Sequence, residues 1–300
     1  MGGCFDAGRA AGSAQPTVPR VTLLRCLRAE LLKLRGSRMI AIHLAIAVGV
    51  PLAFVAYYAA SGTLAPAAKL SAFVQVVACG MTFVAGFIAG FAAEDEWAAT
   101  RLQAVLGAPS RVRAAAAKLL VYLGFALACL ALALCVFVVG MSLVGQPVWA
   151  VPTVAVSDGG LAGLGLLVAQ FALIFLGSVP CYVLAFWVSL AFGRNAGFGL
   201  GILGLLVALL LLTGLGDGIW PYVPWAWPER LAAMLPDALQ IAGGALPGGL
   251  ANFDPQLAET VVARYLGFYR LGLIVCLAVG VVLSAAMGIW VARTDGRRGE

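Results

Sequence analysis

Six long apolar runs divide this sequence, and they leave few architectures open to it. They are Met39–Ala60, Ser71–Ala93, Leu119–Val144, Leu161–Phe192, Gly197–Leu215 and Tyr269–Ala292. At about 1.5 Å rise per residue, each makes a helix long enough to cross an apolar layer of about 30 Å. Charged residues are 11% of the chain, against about 25% in a soluble domain, too few to solvate a surface in water. The expected fold is an all-α membrane protein with one six-helix domain over residues 39–292. The fourth run is longer than a crossing needs and holds Pro180, so a tilt or a kink is expected there.

Positive charge is distributed unevenly over the segments between these runs. Fifteen Lys and Arg fall on the side that holds both termini and the segments 94–118 and 193–196, and four fall on the other side. The four are Lys69, Arg230, Arg264 and Arg270. Cytoplasmic loops carry the excess of Lys and Arg, so both termini are expected in the cytoplasm. The net charge of +6 belongs to this asymmetry and is no sign of nucleic-acid binding.

Residues 1–20 are rich in Gly, Ala and Pro and are expected to be a disordered tail, with residues 293–300 a second, cytoplasmic tail. No apolar core of a signal peptide is visible at the start. Met1-Gly2 begins a myristoylation pattern, but Asp6 stands where Ser or Thr is wanted. Of the seven cysteines, two are N-terminal and five lie inside apolar runs, with no pair at metal-site spacing. Small packing residues are the expectation.

Two segments at the cytoplasmic face carry organised charge. Over residues 21–38, Leu23, Leu24, Leu27, Leu31 and Leu34 fall at helical spacing, flanked by Arg25, Arg28, Lys33, Arg35 and Arg38. Such a basic amphipathic helix lies in the membrane interface. It serves as an anchor alone, or it also offers its exposed face to a cytoplasmic partner; the periodicity leaves both open. The segment 94–118 opens with Glu94-Asp95-Glu96-Trp97 and runs through Thr100, Arg101, Leu102, Val105 and Leu106 to Pro109-Ser110-Arg111 and Lys118. Without a His or another catalytic group beside them, the three carboxylates do not form an acid–base site. A solvated loop and a docking helix for a soluble protein are the two readings, and mixed charge around one leucine-bearing face favours docking.

Polar groups inside the runs are few. His43, Gln75, Gln170, Ser178 and Ser189 are expected to face other helices, with His43 near headgroups and Gln75, Gln170 and Ser178 as candidates for a substrate path. No Asp, Glu, Lys or Arg lies in the middle of a run, which argues against an ion-coupled carrier. Gly86-x-x-x-Gly90 and Gly197-x-x-x-Gly201 have the spacing of close helix packing. The segment 216–268 holds Trp220-Pro221-Tyr222-Val223-Pro224-Trp225-Ala226-Trp227-Pro228, whose rings suit a membrane–water interface. Short helices over 229–243 and 255–267, at or dipping into the outer leaflet, are expected. The sequence has no P-loop, zinc motif, nucleophile elbow or dinucleotide fingerprint, so no ATPase site is expected.

Taken together, these features resemble the membrane subunit of an ABC-2 type transporter. Arg28-Ala29-Glu30-Leu31-Leu32-Lys33-Leu34-Arg35-Gly36-Ser37 is similar to that family's interfacial helix. Glu96, Thr100, Leu106, Pro109-Ser110-Arg111 and Ala117-Lys118 are similar to its cytoplasmic segment, with Ala99 where Gly often precedes the Thr. Gln170, Arg194-Asn195-Ala196-Gly197 and Pro224-Trp225-Ala226-Trp227-Pro228 resemble features of the lantibiotic-immunity permeases. The resemblance implies a multi-pass permease of a bacterial cytoplasmic (inner) membrane, exporting an amphipathic peptide antibiotic. It implies a second permease subunit, as homodimer or heterodimer, and two copies of a separate ABC ATPase. No cofactor is then bound directly; ATP and Mg come through the ATPase. Glu94, Asp95, Glu96, Thr100, Arg101, Leu106, Pro109, Ser110 and Arg111 would form the docking segment, helped by Arg28, Glu30, Lys33 and Arg35 of the interfacial helix. Export of another substrate by the same fold, and a membrane scaffold without a transport path, are the alternatives.

Overall fold

The computed structural model describes residues 22–34, 38–61, 64–100, 110–147, 160–243, 246 and 254–294. Among them the secondary structure is helical throughout: α1 (Leu23–Leu34), α2 (Arg38–Ala60), α3 (Pro66–Thr100), α4 (Arg111–Leu143), α5 (Gly160–Phe192), α6 (Arg194–Leu212), α7 (Trp227–Ala242) and α8 (Pro255–Arg293). Three short 3-10 turns, Gly214–Gly216, Trp220–Tyr222 and Pro224–Ala226, lie between α6 and α7. Six helices, α2 to α6 and α8, are long and apolar enough to cross a membrane. The tails 1–20 and 295–300, Arg35 and the segment 101–109 lie outside the described residues.

Helix boundaries follow local chemistry. Ser110 takes extended backbone ahead of α4, and its carbonyl accepts from the Ala114 amide at 3.1 Å. Asp254 caps α8 with its carboxylate, which accepts from the Gln256 and Leu257 amides, and Pro255 supplies the first helical φ. Gly193 alone separates α5 from α6. Its φ of +88° lies in a region that side-chain-bearing residues avoid, and it lets the chain reverse within one residue. Helix α5 runs unbroken through Pro180.

Packing in an apolar solvent gains nothing from excluding water, so helices must fit closely instead. The closest fit joins α3 and α6. A Cβ on Gly86 would stand 2.5 Å from the Gly197 carbonyl oxygen, and one on Gly201 would stand 2.8 Å from the Phe83 carbonyl oxygen. The two glycine pairs therefore lie face to face, and the expected close packing occurs between these two helices. Phe87 and Phe198 stack beside them, ring centroids 4.5 Å apart. Across the bundle α2 packs on α4, and Phe73 of α3 stacks on Phe137 of α4 at 3.7 Å.

The segment between α6 and α8, expected at or dipping into the outer leaflet, folds into the bundle as a re-entrant hairpin. The amide and Cα of Pro228 sit against Gly177, at the midpoint of α5, where an added Cβ would be 2.7 Å from the Pro228 nitrogen. Cys181, further along α5, points its thiol at the Pro224 carbonyl at 3.4 Å. Trp225 lies against Gly204 of α6, and Trp220 is buried against Gly272 of α8. Trp227 is fully enclosed and donates its Nε1–H to the Pro221 carbonyl at 3.0 Å. Helix α7 then climbs back along α5, where Gln170 donates to the Ala232 carbonyl at 3.0 Å. The helix expected at 229–243 is present as α7, but the one expected at 255–267 is the first part of α8, which runs on without a break.

Candidate functional site

At the α1 end of the bundle four alternating charges come together. Lys118 of α4 holds Glu96 of α3 at 2.6 Å and lies 3.7 Å from Glu30 of α1. Lys33 of α1 bonds Glu30 at 2.7 Å and Glu96 at 3.2 Å. Glu96 is 4% exposed and Lys118 2% exposed, while Lys33 is half-exposed at the rim. Among the described residues two cations face two anions, the kind of pairing that lets buried charges be tolerated. Burial alone would push the Glu96 carboxyl up, but Lys118 and then Lys33 outweigh it and hold it below the usual carboxylate range. For Lys33, burial works against the charge, yet Glu30 and Glu96 raise its ammonium above the ordinary lysine value.

Sequence spacing explains how the cluster is assembled. Glu30 and Lys33 are three apart on α1 and share one face. Leu34 is buried and Leu27 half-buried on the side that meets α4, while Leu24, Leu31 and Leu32 stay exposed. Helix α1 therefore rests on the protein along one side and keeps leucines free on another. Nearby, Arg111 donates to the Thr294 carbonyl at 2.7 Å, tying the start of α4 to the end of α8. Arg194 of α6 bonds Glu94 of α3 at 2.5 Å across a half-exposed clasp.

These positions change how the expected docking residues are to be read. Glu96 is enclosed and Arg111 is engaged with α8, so neither is presented to a partner as a free charge. Ser110 is the cap of α4. Arg28 is exposed on α1. Asp95 and Thr100 lie on α3 with side chains outside the described residues, as are Arg35, Arg101, Leu106 and Pro109 altogether. The three substrate-path candidates do not converge. Gln75 bonds Ser71 on its own helix, Ser178 bonds the Phe175 carbonyl on its own helix, and Gln170 holds α7. His43 is buried among the helices, with its ring edge on Phe125 at 5.5 Å.

The burial of Lys69 and Glu229, and the partial burial of Arg230, escaped the sequence reading. Lys69 is enclosed at the opposite end, donating to Gln146 at 2.6 Å and to the Tyr58 carbonyl at 3.3 Å. Glu229 and Arg230 ride on the re-entrant hairpin. Arg230 donates to the Leu211 and Thr213 carbonyls and pairs with Asp217 at 3.0 Å. Glu229 is 2% exposed and 3.5 Å from the Arg230 Nε. Burial pushes its carboxyl up to about 7, with Arg230 opposing and Asp217 adding to the rise. The only sequence signal was an acid–base pair beside Trp227-Pro228.

Residues 26–157 match the model of the family described as ABC-2 family transporter protein. No curated protein matches the chain. The matched stretch takes in α1 from Cys26, α2, α3 and α4, and so all four members of the charge cluster. Over that stretch, less than half of the chain, the protein is similar to this family, and six of its helices are long and apolar enough to cross a membrane.

Proposed function

We propose that this chain is the permease subunit of an ATP-driven exporter whose ATPase, in two copies, docks at the α1 end of the bundle. That end carries the positive excess and is assigned to the cytoplasm of a bacterial inner membrane. A second permease, as homodimer or heterodimer, completes the path. The observation that carries the reading is the buried cluster of Glu30, Lys33, Glu96 and Lys118. It fastens the interfacial helix to the two helices whose connection, residues 101–109, would meet the ATPase. A push on that connection then moves α1, α3 and α4 as one body. Helix α3 carries the displacement to α6 through the glycine faces, and α6 borders the re-entrant hairpin through Gly204 and Trp225. Motion of this kind needs two arrangements with different contacts, and the half-exposed Glu94–Arg194 clasp is a contact able to open. ATP and Mg enter through the partner ATPase; this subunit contributes the mechanical connection.

The proposed substrate is an amphipathic peptide antibiotic removed from the membrane, as in lantibiotic self-protection. The resemblance at Gln170, Arg194-Asn195-Ala196-Gly197 and Pro224–Pro228 supports it. Affinity purification of the tagged chain from native membranes in mild detergent tests the first part. A stoichiometric P-loop ATPase is expected. Its absence, where a control transporter stays assembled, would leave a membrane scaffold. Challenge of cells with and without the gene by lantibiotics tests the substrate; protection against other compounds only would reassign it.

A further inference from the structure

The re-entrant hairpin carries a carboxylate to a depth where the apolar runs themselves have none. Glu229 follows Pro228, which rests on Gly177 at the midpoint of α5, and Cys79 of α3 lies within its electrostatic reach. It is 2% exposed, and its Oε2 accepts no hydrogen bond. A carboxylate so enclosed is costly when ionised without a donor, and an ionisable group at such depth points to a function.

Arg230 is the cation beside it, yet its protons are spent elsewhere. Its Nε stands 3.5 Å from the Glu229 Oε2 but donates its one proton to the Leu211 carbonyl at 3.0 Å. Its Nη2 donates to the Leu211 and Thr213 carbonyls, and its Nη1 faces Asp217 at 3.0 Å. Those carbonyls close the C-terminal end of α6, where the helix leaves acceptors unpaired, so Arg230 fastens the hairpin to α6. The other elements packed on α7 commit their titratable groups to other partners. On α3, Lys69 is held by Gln146; on α5, Cys181 turns to the Pro224 carbonyl and Tyr182 lies near Cys129 of α4. On α8, Tyr265 bonds Asp237, Arg264 lies over Phe268 and Cys276 faces the Leu176 carbonyl. Helix α6 has no titratable residue from Asn195 to Leu212. The Asp217 side chain is 73% exposed, so the file Glu229, Arg230, Asp217 leads from the buried carboxyl to water.

Ionisation changes the contest for Arg230. A neutral carboxyl leaves the guanidinium to α6, whereas a carboxylate at 3.5 Å competes with the carbonyls for its protons, and bonds between ionised groups are the stronger ones. We propose that Glu229 is a proton-binding site that sets the seating of the hairpin: with the proton bound Arg230 holds the end of α6, and without it Arg230 turns to Glu229 and the hairpin loosens from α6. The step moves one proton and no electrons. The carboxylic acid gives its proton to water on the Asp217 side, becomes a carboxylate, and recovers the proton by the reverse path. Each arrangement has its own contacts, as a switching element requires. The inference goes beyond export as proposed above and does not rest on an ATPase.

The test is hydrogen–deuterium exchange of the full chain in nanodiscs, read by mass spectrometry at about pH 5.5 and about pH 8.5 and corrected for the intrinsic effect of pH. Amides of residues 219–232 are expected to exchange about tenfold faster at the higher pH, with those of α4 unchanged. Glu229→Gln keeps the shape of the acid but has no proton to release, so it should hold the slow rate at both pH values. Equal corrected rates in the parent, or an acceleration that survives in Glu229→Gln, would overturn the proposal. If Glu229→Gln does not fold, infrared difference spectra of the parent carrying isotope-labelled glutamate decide instead, since exposed glutamates are ionised at both pH values. A protonated glutamate carboxyl present at the lower pH and lost at the higher is expected. Absence of that band, or its loss without a change in hairpin exchange, overturns the proposal equally.

Discussion

Glu96 and Lys118, which come from different helices, meet at 2.6 Å and shield each other almost completely from solvent. Removing one partner leaves the other as a buried charge. Lys118→Met should therefore lower stability by about 3 kcal/mol, at the low end for a broken buried pair because Lys33 still reaches Glu96. Glu96→Leu combined with Lys118→Met should recover most of that loss, since a buried pair replaced by apolar groups is often neutral. Unfolding in mixed micelles measures both, and a Lys118→Met variant as stable as the parent would refute the account. The sign with pH follows from the depressed Glu96 carboxyl. Its contribution is present above the ordinary carboxylate value and is lost as pH falls through the lower folded value.

Close approach of α3 and α6 makes its own demand. Gly86→Leu must push the helices apart, because its Cβ would meet the backbone of α6. A loss of about 1–3 kcal/mol is expected, as for overpacked cores. Gly124→Leu on α4 is the control, since a Cβ there meets nothing within 4 Å, and it should leave stability unchanged within about 0.5 kcal/mol. Equal effects at the two sites would mean that glycine spacing has no part in the packing.

Glu229 predicts a pH dependence of the opposite kind. Its carboxyl, raised by burial to about 7, holds a proton that the unfolded chain releases near pH 4.5. Between those values the folded state binds more protons, so stability falls as pH rises and levels off above about 7. The span of the effect is at most roughly 3 kcal/mol. Glu229→Gln should flatten this slope and be the more stable chain at pH 8. An identical pH profile for variant and parent would show that the carboxyl is not buried in the folded protein.

Orientation has a direct test. In a chain whose native cysteines are replaced by Ala, Leu246→Cys should react with an impermeant thiol reagent added to intact cells. Ser110→Cys should react only after the membrane is opened. The reverse pattern would invert the proposed topology and move the ATPase site away from α1.

Run length made the crossings legible because lipid imposes it. The runs 39–60 and 161–192 coincide with α2 and α5 to within a residue. Where the helices extend beyond the apolar run, hydropathy had nothing to count. Helix α4 begins at Arg111 and not at 119, since Lys118 sits inside it, paired and buried. Helix α8 begins at Pro255, with Glu259 and Arg264 in its first turns. The glycine pairs were legible as spacing, but not as partners of one another, because pairing joins residues more than 100 apart. How deeply the Trp- and Pro-rich segment is seated was not legible, for a related reason. Its composition suits an interface, and only distant Gly177, Gly204 and Gly272 make room for it inside. The cluster was half legible: its four residues stood within the quoted motifs, but exposure was assumed for charges that are in fact enclosed.

The hairpin between α6 and α8 also sets an order on biosynthesis. Turns and a short helix expose amide and carbonyl groups that hydrocarbon cannot satisfy, so such a segment is stable at depth only inside protein. Trp220 finds its seat on Gly272, and Tyr265 bonds the Met234 carbonyl, yet both of those α8 residues leave the ribosome after the hairpin itself. Residues 213–242 are therefore expected to complete their burial only when the last helix is made, with α8 closing over them as it inserts. A nascent chain stopped short of α8 would keep five crossings and lose the hairpin, presenting unfolded polar backbone to the proteases that survey the membrane.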